Sequence, residues 1–249
     1  MSKKFTPNLN KKIFIINVGV NASHGTLRSP IFDDGTFIFV PIPETREPEC
    51  PLLPLYREII DPKYISQKFH ERRVHNDPEF ITFTYGDFPT IHPRAANLKY
   101  ISEGDYLFFL ASLVSYSKGH FTNKRGFYLI GFFEIEKILK NVTQKPTDED
   151  LKLFGQNAHI KRGLWKPTAY AGSWIFKGSG NSKLFTYAIP FTREIAEKII
   201  SFSKGINWKW PQNRTDLQVI GSYFRSCRII KDKSATKLFW GWVKMYGGI

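Results

Sequence analysis

The sequence predicts an α+β protein: a mixed β-sheet with a few peripheral helices and long Pro-rich loops. Three observations carry this. Apolar, β-branched and aromatic runs of strand length recur along the chain, amphipathic stretches with capping residues lie mostly in its second half, and prolines crowd residues 43–62. The 249 residues hold 22 Phe, 11 Tyr and 6 Trp with 42% hydrophobic content, enough for a large core and incompatible with wholesale disorder. We divide the chain into a disordered basic arm, residues 1–11, and one elaborated domain, residues 12–249.

Residues 12–20 (KIFIINVGV) read as a buried strand, and Thr36 to Ile42, after the Asp34-Gly35 turn, as a second. Between them, NASHGTLRSP is a polar loop that places Asn21, Ser23, His24 and Arg28 directly after a rigid element. Prolines 43, 48, 51, 54 and 62 exclude regular structure from the following stretch, apart from a turn at Leu55 to Ile60. Gly104-Asp105 is a turn. Tyr106 to Val114 and Gly126 to Ile138 then form a hairpin around the polar loop Ser115 to Arg125, with Glu134 and Glu136 facing away from Phe133 and Ile135.

Thr147 caps a short helix whose first turn, Asp148-Glu149-Asp150, complements the helix dipole. Thr192 to Phe202 is the clearest helix, with Ile195, Ile199 and Phe202 at helical spacing and Gly205 after its end. Asp216 to Ser226 is a further helix. Lys237 to Val243 (KLFWGWV) alternates as a closing strand would.

Thirty-six Lys and Arg against 22 Asp and Glu give a net charge of +14, which calls for an acidic partner. Residues 198–249 alone carry +8, interleaved with Trp208, Trp210, Tyr223, Phe224, Trp240 and Trp242. Cations that bind phosphates beside rings that stack on bases point to nucleic acid, DNA more than RNA, or to a nucleotide. Backbone-contacting candidates are Lys161, Lys183, Lys209, Arg214, Arg225 and Arg228. A lysine-rich surface over an aromatic core explains the same composition without a ligand.

A second constellation is NAHIKRGLW: Asn157, His159, Lys161, Arg162 and Trp165, followed by Trp174. A histidine among cations has a lowered pKa and stays neutral, as a base or a base-edge hydrogen-bonding group must. GSGNSK, residues 178–183, is a phosphate-cradle candidate at a helix start, although the GxxxxGK[ST] spacing is absent. Tyr85 and Asp87 in TYGD, and Glu79 in DPEF, supply a ring and carboxylates, but these segments are also ordinary turns.

Other classes are excluded on spacing. His70-Glu71 with His75 five residues on is not HExxH, and the six histidines do not fall at zinc spacings, so neither a metal nor a cofactor is expected. Cys50 and Cys227 form no framework, and no apolar run fits a signal or membrane span; a cytoplasmic protein is expected.

The stretches NVGVNASHG…SPIFDDGTFIFVPIPE, DPEF…TYGD, GDYLFFLASL…GFYLIGFFEIEKI and NAHIKRG together resemble the third type of nucleotide-modification-associated domain. That resemblance, over about residues 13–185, implies a link with enzymes that modify bases in phage and bacterial DNA. It transfers no catalytic residues. The hairpin alone is similar to the core of PUA-like domains (ASCH, EVE and YTH modules), which implies a partly barrel-like sheet and binding of RNA or a modified base.

The function expected first is recognition of a nucleobase, modified or flipped, by Asn21, Ser23, His24, Arg28, Tyr85, Asn157, Arg162, Trp165 and Trp174 beside a basic surface. The alternative is an enzyme acting on a nucleobase, nucleotide or N-glycosidic bond, with Asp87 and His159 catalytic. A basic scaffold with only salt-sensitive, non-specific binding is the third reading.

Overall fold

The computed structural model describes residues 5–204 and 209–247. In chain order its strands are β1 (Ile13–Val18), β2 (Ser29–Ile31), β3 (Ile42–Pro43), β4 (Val74–His75), β5 (Thr84–Asp87), β6 (Tyr106–Ser117), β7 (His120–Val142), β8 (Ser173–Gly178), β9 (Lys183–Pro190) and β10 (Arg228–Ile230). Its helices are α1 (Tyr56–Ile59), α2 (Asp148–Phe154), α3 (Ala158–Trp165), α4 (Arg193–Lys204), α5 (Asp216–Tyr223) and α6 (Lys233–Met245). Short 3-10 turns include Ala22–His24 and Pro93–Tyr100.

The spine is the β6–β7 hairpin, longer than its sequence suggests. The expected polar loop is itself mostly strand, and the turn tightens to Lys118-Gly119, both at positive φ. β1 runs parallel to β6 and antiparallel to β10, while β8 joins β7 and carries β5 on its far side. β2 and β9 extend the sheet off this path, and β3 and β4 form a separate pair.

The sheet is α+β in character and open, with β10 and β5 at the ends of the strand order, so the barrel closure implied by the PUA-like hairpin is not realised. The hairpin resemblance reaches only a local pairing, and the added strands extend the sheet outward instead of closing it.

The strands read as near-continuous apolar runs because both faces are covered. Ile13, Ile15, Tyr106, Phe108 and Leu110 face one core with Ile195 and Ile199 of α4, Val219 of α5, and Phe239 and Trp240 of α6. Phe14, Ile16, Leu107, Phe109 and Leu113 face the other, closed by Ala95 and Leu98. The segment set apart as a disordered arm joins the first core from Phe5 onward, its ring packing near Tyr106, Phe132 and Trp240.

Residues 233–245 form a helix, which corrects the expected closing strand. Asp232 caps it by accepting from the Ala235 N–H, and Thr236, Phe239, Trp240 and Val243 fall on its buried face. Strand-like alternation over Leu238, Trp240 and Trp242 misleads, since Leu238 is 45% exposed. The run Thr36 to Ile42 is likewise not a continuous strand: it makes isolated bridges at Thr36 and Phe37 before β3. The Thr147 cap of α2, the helix after Thr192 and α5 appear as expected. Gly205, read as a helix stop, lies outside the described residues.

The Pro-rich connector folds over a satellite core of Val20, Leu27, Val40, Tyr56, Ile60, Ile65 and Val74. Its regular backbone pairing is short, limited to β3–β4, the turn of α1 and an isolated bridge from Leu55 to Arg73, and polar contacts fix the rest. Glu49 accepts from Arg72 and from the Arg73 N–H, and Tyr56 Oη donates to the Pro41 carbonyl.

Candidate functional site

A cavity of about 450 Å³ opens where the end of β1, the Pro-rich connector, β4, β5 and α3 meet. That volume is in the range of small-ligand sites. Each wall has a local cause. β1 ends at Gly19, φ +76°, where a Cβ would come within 2.6 Å of the Phe39 ring. The chain then turns into Asn21–His24, a reciprocal cap in which Asn21 Oδ1 accepts from the Ser23 N–H and His24 Nδ1 accepts from the Asn21 N–H.

α3 begins at Asn157, whose Oδ1 accepts from the His159 N–H and whose Nδ2 donates to Asp77 over 3.3 Å. Across from it, Gly86 of β5 must be glycine: a Cβ there would stand 2.4 Å from His159 Cδ2 and 3.0 Å from Asn157 Oδ1.

The floor consists of buried titratable groups. Asp77 (7% exposed) accepts from the Gly86 N–H at 3.0 Å, and burial raises its carboxyl well above the usual range. His159 (6%) and His75 (8%) present Nε2 at 3.4 Å and 3.8 Å from Asp77 Oδ2. Burial above all lowers both imidazoles, His159 to about 3, with the His159 ring and then Arg162 adding to the effect at His75 and Arg162 at His159, so both are neutral. His75 and Asp77 come from the end of β4 and the residues just after it, His159 from α3, and their donor atoms lie within 4.8 Å of one another.

Asp87 (2%) accepts from Tyr85 Oη and the Phe88 N–H, both at 2.8 Å, with His92 and Arg94 each 3.7 Å away. The Tyr85 hydroxyl is pushed up by burial and then by Asp87, so it remains a donor. At the mouth stand the exposed Arg46, Arg94 and Arg225, one each from the connector, the segment after β5 and the residues before β10. Arg162 also lines the cavity but is committed elsewhere. Its Nε and an Nη form a two-pronged pair with Glu44 at 2.5 and 2.7 Å, both residues buried.

Residues 12–220 match the family described as nucleotide modification associated domain 3. The chain belongs to that family. Its description ties this Nmad3 chain to nucleotide modification, and no curated protein and no solved structure matches it. No helix among the described residues is long and apolar enough to cross a membrane.

Of the residues chosen from the sequence, Asn21, His24, Tyr85, Asp87, His159, Arg162 and Arg225 line this one cavity, and Asn157 supports it from behind. The N-terminal loop and the NAHIKRG segment therefore do converge. Ser23 is exposed and bonds only within the cap; Arg28 folds back onto the Gly25 and Leu27 carbonyls. Trp165 lines an adjoining cavity of about 300 Å³ that shares Arg46 and Arg162 with the first. Trp174 packs against Phe176 under the Lys140 ammonium, away from both.

The basic candidates disperse. Lys161 is half-buried with its carbonyl near the Cys50 thiol, Lys183 opens β9, Lys209 is exposed, Arg214 bonds Ser222 and Gln218 of α5, and Arg228 bonds the Tyr223 carbonyl. The C-terminal rings proposed for stacking are core: Trp210, Phe224 and Trp240 are buried, with Tyr223 and Trp242 packed against them. Trp208 lies outside the described residues. The α5–α6 region needs these rings to cover one face of the sheet, which leaves them unavailable to bases.

GSGNSK is the tight turn between β8 and β9, each of which pairs with β7, rather than a helix start. Ser179 and Asn181 spend their donors on the Glu134 carboxylate, which removes the phosphate-cradle reading. Glu79 likewise caps its own turn, accepting from the Ile81 and Thr82 N–H groups. Missed from sequence were His75, Asp77, Arg46, His92 and Arg94.

Proposed function

We propose that this Nmad3 protein is an enzyme acting on a nucleotide, with Arg46, Arg94 and Arg225 engaging phosphate and Asp87 serving as the acid/base group. One observation carries this: three guanidiniums from distant segments ring a cavity whose floor holds buried carboxylates and neutral imidazoles. Cations at the mouth suit a phosphate, and a buried carboxylate held by a tyrosine hydroxyl and a backbone amide is a group that can exchange a proton with a bound ligand. Asp87 is oriented by Tyr85 and the Phe88 amide, so its position is fixed before substrate arrives.

A reader of modified bases is less well supported, because such a pocket holds the base between aromatic faces. The only cavity rings of that kind, Tyr85 and Phe88, are 5% and 7% exposed, and Trp174 is elsewhere. Trp165, in the adjoining cavity, offers a surface for a base whose phosphate rests on the shared Arg46.

The test is turnover of free nucleotides and of single-stranded DNA, duplex DNA and RNA. Strands are digested to nucleosides and products identified by mass, in parallel with calorimetric binding. Asp87→Asn should abolish product while retaining binding, and Arg46→Ala or Arg94→Ala should weaken binding about 10-fold each, roughly 1.4 kcal/mol. If no nucleotide or strand yields a product, and the arginine variants bind as the parent does, the reading fails.

A further inference from the structure

We infer that His75, Asp77 and His159 form a binding site for one divalent first-row transition-metal ion at the floor of the cavity. The inference deepens the reading of this cavity as a nucleotide enzyme, yet stands on its own geometry.

The spacings are the first argument. Asp77 Oδ2 lies 3.4 Å from His159 Nε2 and 3.8 Å from His75 Nε2. Hydrogen bonds from a ring nitrogen to a carboxylate close to about 2.7–3.2 Å, so neither contact is a well-formed one. Ligands bound at about 2.0–2.2 Å to one tetrahedral ion stand on the order of 3.4 Å apart. The gap among these atoms is that of a shared ion rather than of a mutual hydrogen bond. The two imidazoles meet edge to face, with centroids 4.8 Å apart and planes at 88°, so they do not occupy the gap by stacking.

The second argument is accounting for buried polar atoms. Among the described residues His75 Nδ1 has no hydrogen-bond partner, so no protein group fixes the tautomer of this imidazole, which is 8% exposed and lines the cavity. Among the described residues no lysine or arginine pairs with the buried Asp77 carboxylate within 4 Å; Arg162, a buried cation in the cavity wall, is matched by Glu44. Two imidazoles and a carboxylate are a donor set that a transition metal takes, and a dication would offset the charge of Asp77 beside that of Asp87.

The third argument is the shell behind the ligands. The Gly86 N–H and Asn157 Nδ2 both donate to Asp77, and Asn157 also fixes the first turn of α3 that carries His159. Two nitrogens and one oxygen favour iron, manganese, cobalt or zinc over magnesium or calcium, and three protein ligands leave coordination positions for water or substrate on the cavity side.

The experiment uses the full chain, stripped with chelator and titrated with Co²⁺, Zn²⁺, Mn²⁺ and, anaerobically, Fe²⁺, with Mg²⁺ for comparison. Calorimetry and the Co²⁺ absorption spectrum are the readouts. One transition-metal ion per chain is expected, with at least 100-fold weaker uptake in Asp77→Asn and His159→Ala and parent-like uptake in His70→Ala, whose histidine lies outside the cluster. Circular dichroism checks each fold. Where a variant does not fold, X-ray absorption of the Co²⁺-loaded parent decides: two imidazoles in the ligand shell support the site and none overturns it. No uptake by the stripped parent, or parent-like uptake by folded Asp77→Asn and His159→Ala, also overturns it. Arg46→Ala separates the two readings, since it should weaken nucleotide binding about 10-fold and keep the metal.

Discussion

Replacing Arg162 by Met tests what holds the cavity together. Arg162 and Glu44 are 7% and 1% exposed and joined by two short hydrogen bonds, so the single change leaves the Glu44 carboxylate buried without its partner. Breaking such a pair costs about 3–5 kcal/mol. For a chain of this length each kcal/mol lowers the melting temperature by about 2–4 °C, which gives a fall of roughly 6–20 °C. Glu44→Met should cost a similar amount by stranding the guanidinium.

The double variant, Glu44→Met with Arg162→Met, removes both charges and fills similar volume, so it should recover at least about 2 kcal/mol over the worse single. It should not recover nucleotide affinity. Glu44 Oε1 also accepts from the Thr45 and Arg46 N–H groups, and without it the backbone that aims Arg46 at the mouth is released. Urea unfolding followed by tryptophan fluorescence and circular dichroism supplies the cycle. A loss below about 1 kcal/mol for Arg162→Met, or a double variant no more stable than the worse single, would refute the reasoning.

Three other outcomes follow from local geometry. Gly86→Ala places a Cβ against His159 and Asn157; unfolding curves should show a loss of about 1–3 kcal/mol, with weaker metal uptake as His159 is displaced. Burial holds the His24 imidazole below its ordinary 6.5, so Nδ1 accepts the Asn21 N–H at neutral pH. Since the folded value is the lower one, this cap contributes above pH 6.5 and is lost as pH falls through it. A two-dimensional NMR titration should show a depressed His24 midpoint and faster Asn21 amide exchange below it, whereas a midpoint at or above 6.5 would contradict the cap. Cys50 and Cys227 are 2% and 0% exposed, and burial raises the Cys227 thiol, so a thiol reagent should label neither until the chain is unfolded; prompt labelling of native protein would show the fold to be looser than described.

What the sequence made legible is what local pattern controls. The β6–β7 hairpin, the Thr147 cap and the helix after Thr192 each carry their periodicity and end signals within about a dozen residues. Lys237 to Val243 fails for the same reason: seven residues are too few to separate a period of 2 from 3.6, and only the Asp232 cap extends the window far enough. The site splits along the same line. Asn21, His24, Asn157 and His159 lie on segments with readable boundaries, and the fold brings them together. Asp77 is bonded to Asn157 from 80 residues away, and Glu44 to Arg162 from 118, distances over which spacing rules for ligands on one helix have no reach.

A usable signal was nonetheless present in the PIPE and DPEF segments, whose first landmark ends at Glu44 and whose second begins at Asp77. Proline lacks an amide donor, so sheet pairing here is confined to the two-residue β3–β4 ladder and isolated bridges, and neighbouring amides need other acceptors. The acidic residues of these segments take over that task, Glu44 for the Thr45 and Arg46 amides and Asp77 for the Gly86 amide. A carboxylate buried to hold a loop beside buried histidines and arginines is also a carboxylate presented to a ligand. The Pro-rich connector therefore supplies Arg46, and β4 with the residues just after it supplies His75 and Asp77, to the chemistry that α3 and β5 complete.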